Sequence, residues 1–219
     1  MTTDPTRLAP SRLLVENPVI AVLRAREADD YGDVIEVLAA NGVRSIELTL
    51  STPGTFEALP ALLARFGSDV EIGLGTIVTA EQARQALEIG VDYLVTPIVR
   101  QEVIALAVAA GVPIYPGGLT PTELYSAWEA GATAVKVFPA ETVGPQYGAH
   151  LRGPFPELQF VPSGGIGLDT VAAWLSAGAV AVSLGGPLIG DALKGGSLDA
   201  LAERAAHVSA LAAAARVPR

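Results

Sequence analysis

Lys136, one of only two lysines in the chain, is the residue with the clearest potential for chemistry. Small, β-branched and aromatic residues surround it in the run AVKVF, which is typical of a strand buried on both faces. Burial disfavours the charged ammonium form, and a neutral amine is a nucleophile that attacks a ketone to form an imine. A lysine that reaches solvent from a strand end, or pairs with a buried carboxylate, fits this run equally well.

A carboxylate is the second candidate. Glu47 lies in the strand-like run SIELTLSTP, where alternation puts Ser45, Glu47 and Thr49 on one face. A carboxylate on the inner face of a sheet is costly unless it is paired or hydrogen-bonded. We therefore expect Glu47 either to take part in chemistry or to form an ion pair with Arg24 or Lys136.

A repeated junction along the chain defines the elements that must position these residues. A helix-like segment ends at a glycine and a strand-like run follows, at Gly42, Gly67, Gly90, Gly111, Gly131 and Gly178. The junctions predict eight strands, at about residues 19–24, 44–50, 70–75, 92–96, 112–116, 133–138, 159–163 and 180–184. Strands joined by helices pair in parallel, and eight such units predict the α/β class and a (β/α)8 TIM barrel. An open doubly wound sheet is the alternative, because periodicity does not prove closure.

Composition limits the size and the partners of the protein. The chain has 219 residues, 50% hydrophobic and 17% charged, which is enough for one large domain over residues 1–219. We expect residues 1–17 to form an N-terminal extension with a short helix, from Thr6 to Asn17, that covers one end of the barrel. The net charge is −9 and there is no basic run, which argues against nucleic-acid binding.

The absence of cysteine and the small number of histidines exclude further classes of catalytic and metal-binding site. There is no cysteine, so the chain has neither a disulfide nor a thiolate nucleophile or metal ligand. His150 and His207 are too few for a typical histidine-rich zinc site. The first residues lack the features of a signal peptide, and no apolar run is long enough to span a membrane. These features predict a soluble cytoplasmic protein without a metal.

The active site of such a barrel lies at the carboxyl ends of the strands, so we look for functional residues there. Thr76 follows the glycine-rich end of strand 3, Pro97 ends strand 4, and Phe138 follows the buried lysine. Glycine pairs end strands 7 and 8, at residues 164–165 and 185–186, and match the usual phosphate site of these barrels. Two other pairs near strand ends are predicted helix caps: Thr79 with Gln82 and Thr120 with Glu123.

Eight motifs occur in one order along the chain: PVIAVLRA, GVRSIELTLSTP, GLGTIVTAEQ, YLVTP, PGGLTPTEL, KVFPAE, GPFPELQFVPSGGI and GGPLIG. Together they are specific, and over nearly its whole length the sequence resembles the class I aldolases that act on 2-keto-3-deoxy-6-phosphogluconate (KDPG) and 4-hydroxy-2-oxoglutarate (KHG). The resemblance implies a homotrimer of (β/α)8 barrels that works in Entner–Doudoroff carbohydrate metabolism without a cofactor or metal.

The resemblance also implies a role for each candidate residue. Lys136 forms a Schiff base with pyruvate, and Glu47 moves protons during carbinolamine dehydration and the aldol step. Arg24 holds a carboxylate or another anionic group of the substrate. The remaining residues form two sets: Thr76, Pro97 and Phe138 line the pyruvyl pocket, and Ser163, Gly164, Gly165, Gly185 and Gly186 hold the substrate phosphate.

Three positions depart from the family pattern. Ser51 stands where some members have arginine after the strand 2 motif, so carboxylate recognition rests on Arg24. Leu74 stands where alanine is frequent, and it either narrows the cavity or faces outward. The strand 8 loop lacks the serine that some members use on phosphate and has Gly185, Gly186 and Pro187 instead, so the evidence for phosphate binding is weaker than that for the imine chemistry.

The leading hypothesis is cleavage of KDPG to pyruvate and D-glyceraldehyde 3-phosphate. The alternatives within the family are cleavage of 4-hydroxy-2-oxoglutarate and of the galactonate epimer (KDPGal), because one sequence does not give the pocket geometry. A phosphosugar isomerase or epimerase that uses Glu47 as base on the same barrel is an alternative from another class. A barrel that only binds phosphometabolites or acts as a scaffold is the non-enzymatic alternative.

We predict that Lys136→Ala abolishes cleavage while the fold remains intact, because the amine that forms the imine is lost. Steady-state kinetics of pyruvate release measures the effect, with circular dichroism as the control for folding. Normal turnover by the folded variant would refute the mechanism.

Overall fold

The computed structural model of the chain describes residues 7–215, in which eight strands alternate with helices. The strands are β1 (Val19–Leu23), β2 (Ser45–Thr49), β3 (Glu71–Gly75), β4 (Leu94–Thr96), β5 (Ile114–Gly118), β6 (Val135–Val137), β7 (Phe160–Pro162) and β8 (Val182–Leu184). The α-helices are α1 (Arg12–Glu16), α2 (Tyr31–Ala40), α3 (Thr55–Phe66), α4 (Ala80–Ile89), α5 (Gln101–Ala110), α6 (Pro121–Glu129), α7 (Gln146–Arg152), α8 (Val171–Ser176), α9 (Gly186–Ile189) and α10 (Leu198–Ala214). None of these helices is both long enough and apolar enough to cross a membrane.

The strands form one parallel sheet that curves back on itself. Their order is β7, β6, β5, β4, β3, β2, β1, β8, and a parallel bridge between Ser163 and Ser183 brings β7 and β8 together at the remaining seam. The structure is therefore a nearly closed (β/α)8 barrel, as the repeated junctions predict, and the open-sheet alternative is wrong. The six glycines at the predicted junctions all have positive φ, a conformation that glycine adopts without strain.

Alternation along the strands separates two groups of apolar side chains. Residues that face outward pack against the helices, and in this layer Trp174 of α8 meets the Phe160 ring edge to face. Residues that face inward form a second cluster: Leu14 of α1, Ile20, Tyr93, Val95, Tyr115, Ala134, Val161 and Ala181. The barrel interior is thus a packed core rather than a channel.

Helix α1 covers the amino-terminal end of the barrel, because Leu14 packs into the inner cluster. The sequence predicts that this helix starts at Thr6. In the described part of the chain, α1 instead begins at Arg12. The Ser11 hydroxyl accepts a hydrogen bond from the Leu14 N–H at 3.0 Å, which makes Ser11 the N-cap and fixes the start of the helix. Thr6 itself lies outside the described residues.

Strand β5 differs most from its predicted bounds. The sequence predicts an end at residue 116, because a proline followed by two glycines is typical of a turn. The strand instead continues to Gly118, since Gly117 and Gly118 pair with Lys136 and Val137 of β6. The two predicted capping boxes, Thr79 with Gln82 and Thr120 with Glu123, are confirmed.

A buried carboxyl lies at the amino-terminal end of the barrel interior. Glu71, the first residue of β3, is 8% exposed, and its Oε1 atom has no hydrogen-bond partner within the described chain. Burial raises the pKa of the Glu71 carboxyl, while the Ser11 and Ser45 hydroxyls oppose that shift. Ionised Glu71 therefore destabilises the fold.

We predict that Glu71→Gln removes one component of the pH dependence of stability. The folded-state pKa of Glu71 lies above its ordinary value of 4.5, so its contribution to stability is full below that pH and is lost as the pH rises through the folded pKa. The free energy of unfolding of the variant minus that of wild type should therefore increase over a range of pH that begins near 4.5. Urea unfolding of both proteins measures this difference, and a constant difference across the range would contradict the prediction.

Candidate active site

The barrel interior brings together the two residues with the clearest chemical potential in the sequence. Nζ of Lys136, on β6, lies 3.6 Å from Oε1 of Glu47, on β2, and the two side chains are 10% and 2% exposed. This separation is that of an ion pair rather than a short hydrogen bond. The partner of Glu47 is therefore Lys136 and not Arg24, and one amine and one carboxylate face each other in a buried space.

Glycines on the strands next to β2 and β6 allow close packing around this pair. A Cβ atom at Gly75 would lie 2.0 Å from Oε1 of Glu47, so the carboxylate fills the space left by the missing side chain. Gly117 is the β5 neighbour of Lys136, and a Cβ atom there would lie 2.6 Å from the Thr96 carbonyl oxygen. A larger residue at either position must displace Glu47 or the β4 backbone.

The three residues predicted to line a pocket lie at the ends of β3, β4 and β6. Phe138 is 38% exposed, and its ring centroid lies 5.4 Å from Nζ of Lys136, within cation–π range. Pro97 is half-buried, and its backbone lies against Gly117. Thr76 has a φ of 63°, and no other non-glycine residue in the described part of the chain has positive φ. A β-branched residue adopts this region only under strain, which concentrates at functional sites.

Charged and polar residues surround the mouth of the barrel. Arg24 follows β1 and is exposed, and within residues 7–215 its guanidinium has no hydrogen-bond or ion-pair partner. Ser51 is also exposed, and its hydroxyl donates to Oγ1 of Thr49 at 3.1 Å.

Leu74 is fully buried in the outer cluster, so it faces the helices and does not narrow the cavity. The described residues include no group of three or more His, Asp or Glu side chains placed to hold one metal ion.

The ends of β7 and β8 present free backbone N–H groups. Gly164 and Gly165 follow β7 with φ of 88° and 73°, and Gly185 and Gly186 follow β8. The N–H groups of these four glycines donate no hydrogen bond to any other described residue, and such groups bind anions. The Glu141 carboxylate also lies against Gly165, where a Cβ atom would be 2.0 Å from its Oε2, and its charge opposes an anion at that glycine.

The sequence analysis does not identify two residues whose hydroxyl groups form hydrogen bonds next to the candidate site. Ser183 of β8 is 2% exposed and accepts a hydrogen bond from the Ser163 hydroxyl at 3.2 Å. Thr96 of β4 accepts a hydrogen bond from the Gly117 N–H at 3.4 Å and so ties β4 to the strand beside the lysine. Alternation gives a signal for Ser183, which lies two residues before Gly185 on the same strand face. No comparable signal exists for Thr96.

Comparison with known proteins finds relatives over most of the chain. The family model for KDPG and KHG aldolases matches residues 11–203. The 2-dehydro-3-deoxy-6-phosphogalactonate aldolase of Escherichia coli (strain K12) is 34% identical over 172 residues, which cover 78% of this chain and 84% of that protein. The 2-dehydro-3-deoxy-phosphogluconate aldolase of Treponema pallidum (strain Nichols) is 36% identical over 159 residues, which cover 72% of this chain and 75% of that protein.

Solved structures match the barrel over nearly its whole length. A structure described as native KDPGal has a TM-score of 0.84 and 32% identity, and the match covers 90% of this chain and 95% of that chain. The KDPG aldolase of Legionella pneumophila, with pyruvate captured at low pH as a covalent carbinolamine intermediate, has a TM-score of 0.77 and 26% identity. That match covers 98% of this chain and 99% of the Legionella chain.

We predict that Gly75→Ala separates Glu47 from Lys136. The added Cβ atom would overlap Oε1 of Glu47, so the carboxylate must turn away, at a cost to stability of about 1–3 kcal/mol. A crystal structure of the variant measures the distance from Nζ to Oε1, which should exceed the roughly 4 Å of an ion pair. Gly186→Ala is the matched control, because a Cβ atom there meets nothing within 4 Å. A distance that stays at 3.6 Å in Gly75→Ala would show that the site absorbs the methyl group.

Proposed function

Because the chain belongs to the KDPG and KHG aldolase family, we propose that it cleaves the C3–C4 bond of a 2-keto-3-deoxy-6-phospho sugar acid through an imine on Lys136. The products are pyruvate and glyceraldehyde 3-phosphate, so the enzyme is a lyase. The observation that carries the proposal is the buried lysine amine that lies 3.6 Å from a buried carboxylate inside a barrel. A lysine in that position is the group that the chemistry of an imine-forming aldolase requires.

Imine formation uses both members of the buried pair. The neutral amine of Lys136 attacks the C2 ketone to give a carbinolamine, and loss of water from the carbinolamine gives an iminium. The departing hydroxyl group needs a proton, and Glu47 is the acid beside the lysine nitrogen. The Legionella pneumophila KDPG aldolase, which matches this chain over the whole barrel, holds pyruvate as a covalent carbinolamine, and this supports the assignment.

Bond cleavage follows because the iminium attracts electrons. A base removes the proton of the C4 hydroxyl group, the C3–C4 bond breaks, and the products are an aldehyde and an enamine on Lys136. Protonation of the enamine at C3 and hydrolysis of the new iminium release pyruvate and restore the amine. Glu47 is placed to accept and return these protons, since Oε1 faces the lysine and Oε2 has no partner in the described chain.

The charged ends of the substrate have matching groups at the mouth. Arg24, which has no ionic partner among the described residues, is free to bind the carboxylate, and Thr76 offers a hydroxyl group at the end of β3. The free N–H groups that follow β7 and β8, with Ser163 between these strands, form the phosphate site. The partly exposed ring of Phe138 lies 5.4 Å from Nζ of Lys136 and forms one wall of the proposed pyruvyl pocket.

Three substrates share this pyruvate chemistry and differ in the aldehyde half. The relatives of similar identity are named for the gluconate and the galactonate compounds, and the family model also includes KHG aldolases. The free N–H groups at the ends of β7 and β8 favour a phosphorylated substrate over 4-hydroxy-2-oxoglutarate. Comparison of kcat/KM for KDPG, KDPGal and 4-hydroxy-2-oxoglutarate ranks the three.

Borohydride trapping tests the proposed function directly. The protein is incubated with pyruvate and reduced, and its peptides are mapped by mass spectrometry. We expect a reduced pyruvyl adduct on Lys136 in wild type and none in Lys136→Ala. No adduct on folded wild-type protein in excess pyruvate would reject the imine and favour an isomerase or a binding protein.

We predict that Glu47→Gln lowers kcat by about 10²- to 10⁴-fold, because glutamine neither donates nor accepts the transferred proton. Stopped-flow and steady-state kinetics measure the effect. Glu102→Gln is the control, since that carboxylate lies on the exposed surface of α5 and should leave the rate unchanged. An unchanged rate and pH profile in Glu47→Gln would remove Glu47 from this role.

A further inference from the structure

The segment that follows β1 carries Arg24, whose side chain has no partner within residues 7–215. The residue is exposed, and its guanidinium forms neither a hydrogen bond nor an ion pair there. Because a long side chain without a partner adopts many rotamers, the region that its guanidinium reaches is set mainly by the backbone. The contacts that hold this backbone therefore determine where Arg24 presents its charge.

Two threonines bind the residues on either side of Arg24. The hydroxyl of Thr49, the last residue of β2, donates to the Leu23 carbonyl oxygen at 3.1 Å. The hydroxyl of Thr52, in the loop after β2, accepts a hydrogen bond from the Ala25 N–H at 3.0 Å. The same hydroxyl donates to the Ala25 carbonyl oxygen at 3.4 Å. Side chains from one loop thus hold the backbone both before and after the arginine.

The loop that carries Thr52 is itself held in place. Thr52 is 2% exposed, and its N–H donates to the Thr49 carbonyl oxygen at 3.0 Å. The hydroxyl of Thr55, the first residue of α3, donates to the Thr52 carbonyl oxygen at 2.8 Å. The Tyr31 phenol of α2 faces the same three threonines. Since buried hydrogen bonds are costly to leave unmade, this loop is a firm support for the segment after β1.

The start of helix α3 does not need the Thr52 hydroxyl. Gly54 is the N-cap residue of that helix, and its cap has no side-chain hydrogen bond. The hydrogen bonds of the Thr52 hydroxyl run instead to Ala25, in the segment after β1. Removal of this hydroxyl should therefore loosen the contact between the two loops and leave the helix start intact.

We infer that Thr52 is a positioning residue that sets where Arg24 meets the carboxylate of the substrate. Thr52 is buried and acts through the backbone of Ala25, while Thr49 holds the opposite side. Without the Thr52 hydroxyl, only one side of the arginine is held, and the guanidinium is less often in place to bind. This role rests on the proposed function, in which Arg24 binds the carboxylate.

The expected effect is a loss of affinity without a loss of maximal rate. Arg24 binds the carboxylate both before and after imine formation, so its displacement weakens binding at every stage. The net contribution of one hydrogen bond corresponds to a change of about 3- to 10-fold in affinity. Thr52→Ser keeps the hydroxyl and should restore the wild-type affinity.

The test uses pyruvate, which has the carboxylate that all three candidate substrates share. Borohydride trapping gives the pyruvate concentration at half-maximal rate and the maximal rate of adduct formation on Lys136. Thr52→Val and Thr52→Ala both remove the hydroxyl, so the test stands if either variant folds, as checked by circular dichroism. We expect the half-saturating concentration to rise about 3- to 10-fold in these variants, with the maximal rate unchanged.

Two further variants separate positioning from a general effect on the fold. Thr133→Val is the matched control, because the Thr133 hydroxyl is also buried and accepts from the Ile114 N–H at 3.2 Å, at the amino-terminal ends of β5 and β6. Thr133→Val should leave pyruvate binding unchanged. In an Arg24→Ala background, Thr52→Val should cause no further loss, because residues that act as one unit are not additive.

An unchanged half-saturating concentration in a folded Thr52 variant would overturn the inference and leave the imine chemistry standing. An equal loss with and without Arg24, or an equal loss in Thr133→Val, would also overturn it, because Thr52 would then act independently of the arginine. If wild type gives no trapped adduct at any pyruvate concentration, the proposed function itself fails, and the role of Thr52 fails with it.

Discussion

A single ion pair inside an apolar barrel is the interaction on which the rest of the site depends. Burying an ammonium and a carboxylate costs several kcal/mol for each ion, and only a close partner compensates that cost. Lys136 and Glu47 provide this for each other at 3.6 Å. The pair needs space, which explains why glycine occupies position 75 beside Glu47. The same closeness that stabilises the charges also brings an amine and a carboxylate together inside the barrel.

The two ends of the barrel interior differ in packing and in the polar groups that they contain. At the amino-terminal end, Leu14 of α1 closes the core, and Glu71 is buried among hydroxyl groups. At the carboxyl-terminal end, the N–H groups of four glycines have no acceptor among the described residues, and Thr76 is held in a strained conformation. Because the chain carries a net charge of −9, attraction of an anion depends on local groups, and within residues 7–215 Arg24 and these N–H groups can provide it. The end of the barrel that α1 closes and the end that carries the candidate site are therefore separated along the barrel axis.

The sequence alone predicts the barrel, because its signals are local and repeated. At six junctions a helix-like segment is followed by a glycine and then by a short strand-like run, and parallel pairing follows from the helical connections. The same local rules give the capping boxes, the inward direction of Glu47 and the glycine pairs at the last two strand ends. They fail where residue type and strand geometry conflict: the two glycines of β5 pair with β6 although their type favours a turn.

Only the tertiary structure decides which partners meet across the barrel. Alternation shows that Glu47 points inward, but the choice between Arg24 and Lys136 depends on the distance between β2 and β6, which are not neighbours in the sheet. The same holds for Tyr93, whose ring fills the space above a glycine on β3. Sequence patterns report the periodicity of one segment with respect to its own axis, whereas contacts across a barrel depend on strand register, tilt and side-chain volume together. For this reason the sequence identifies the candidate residues Lys136 and Glu47, and the fold determines that they are paired.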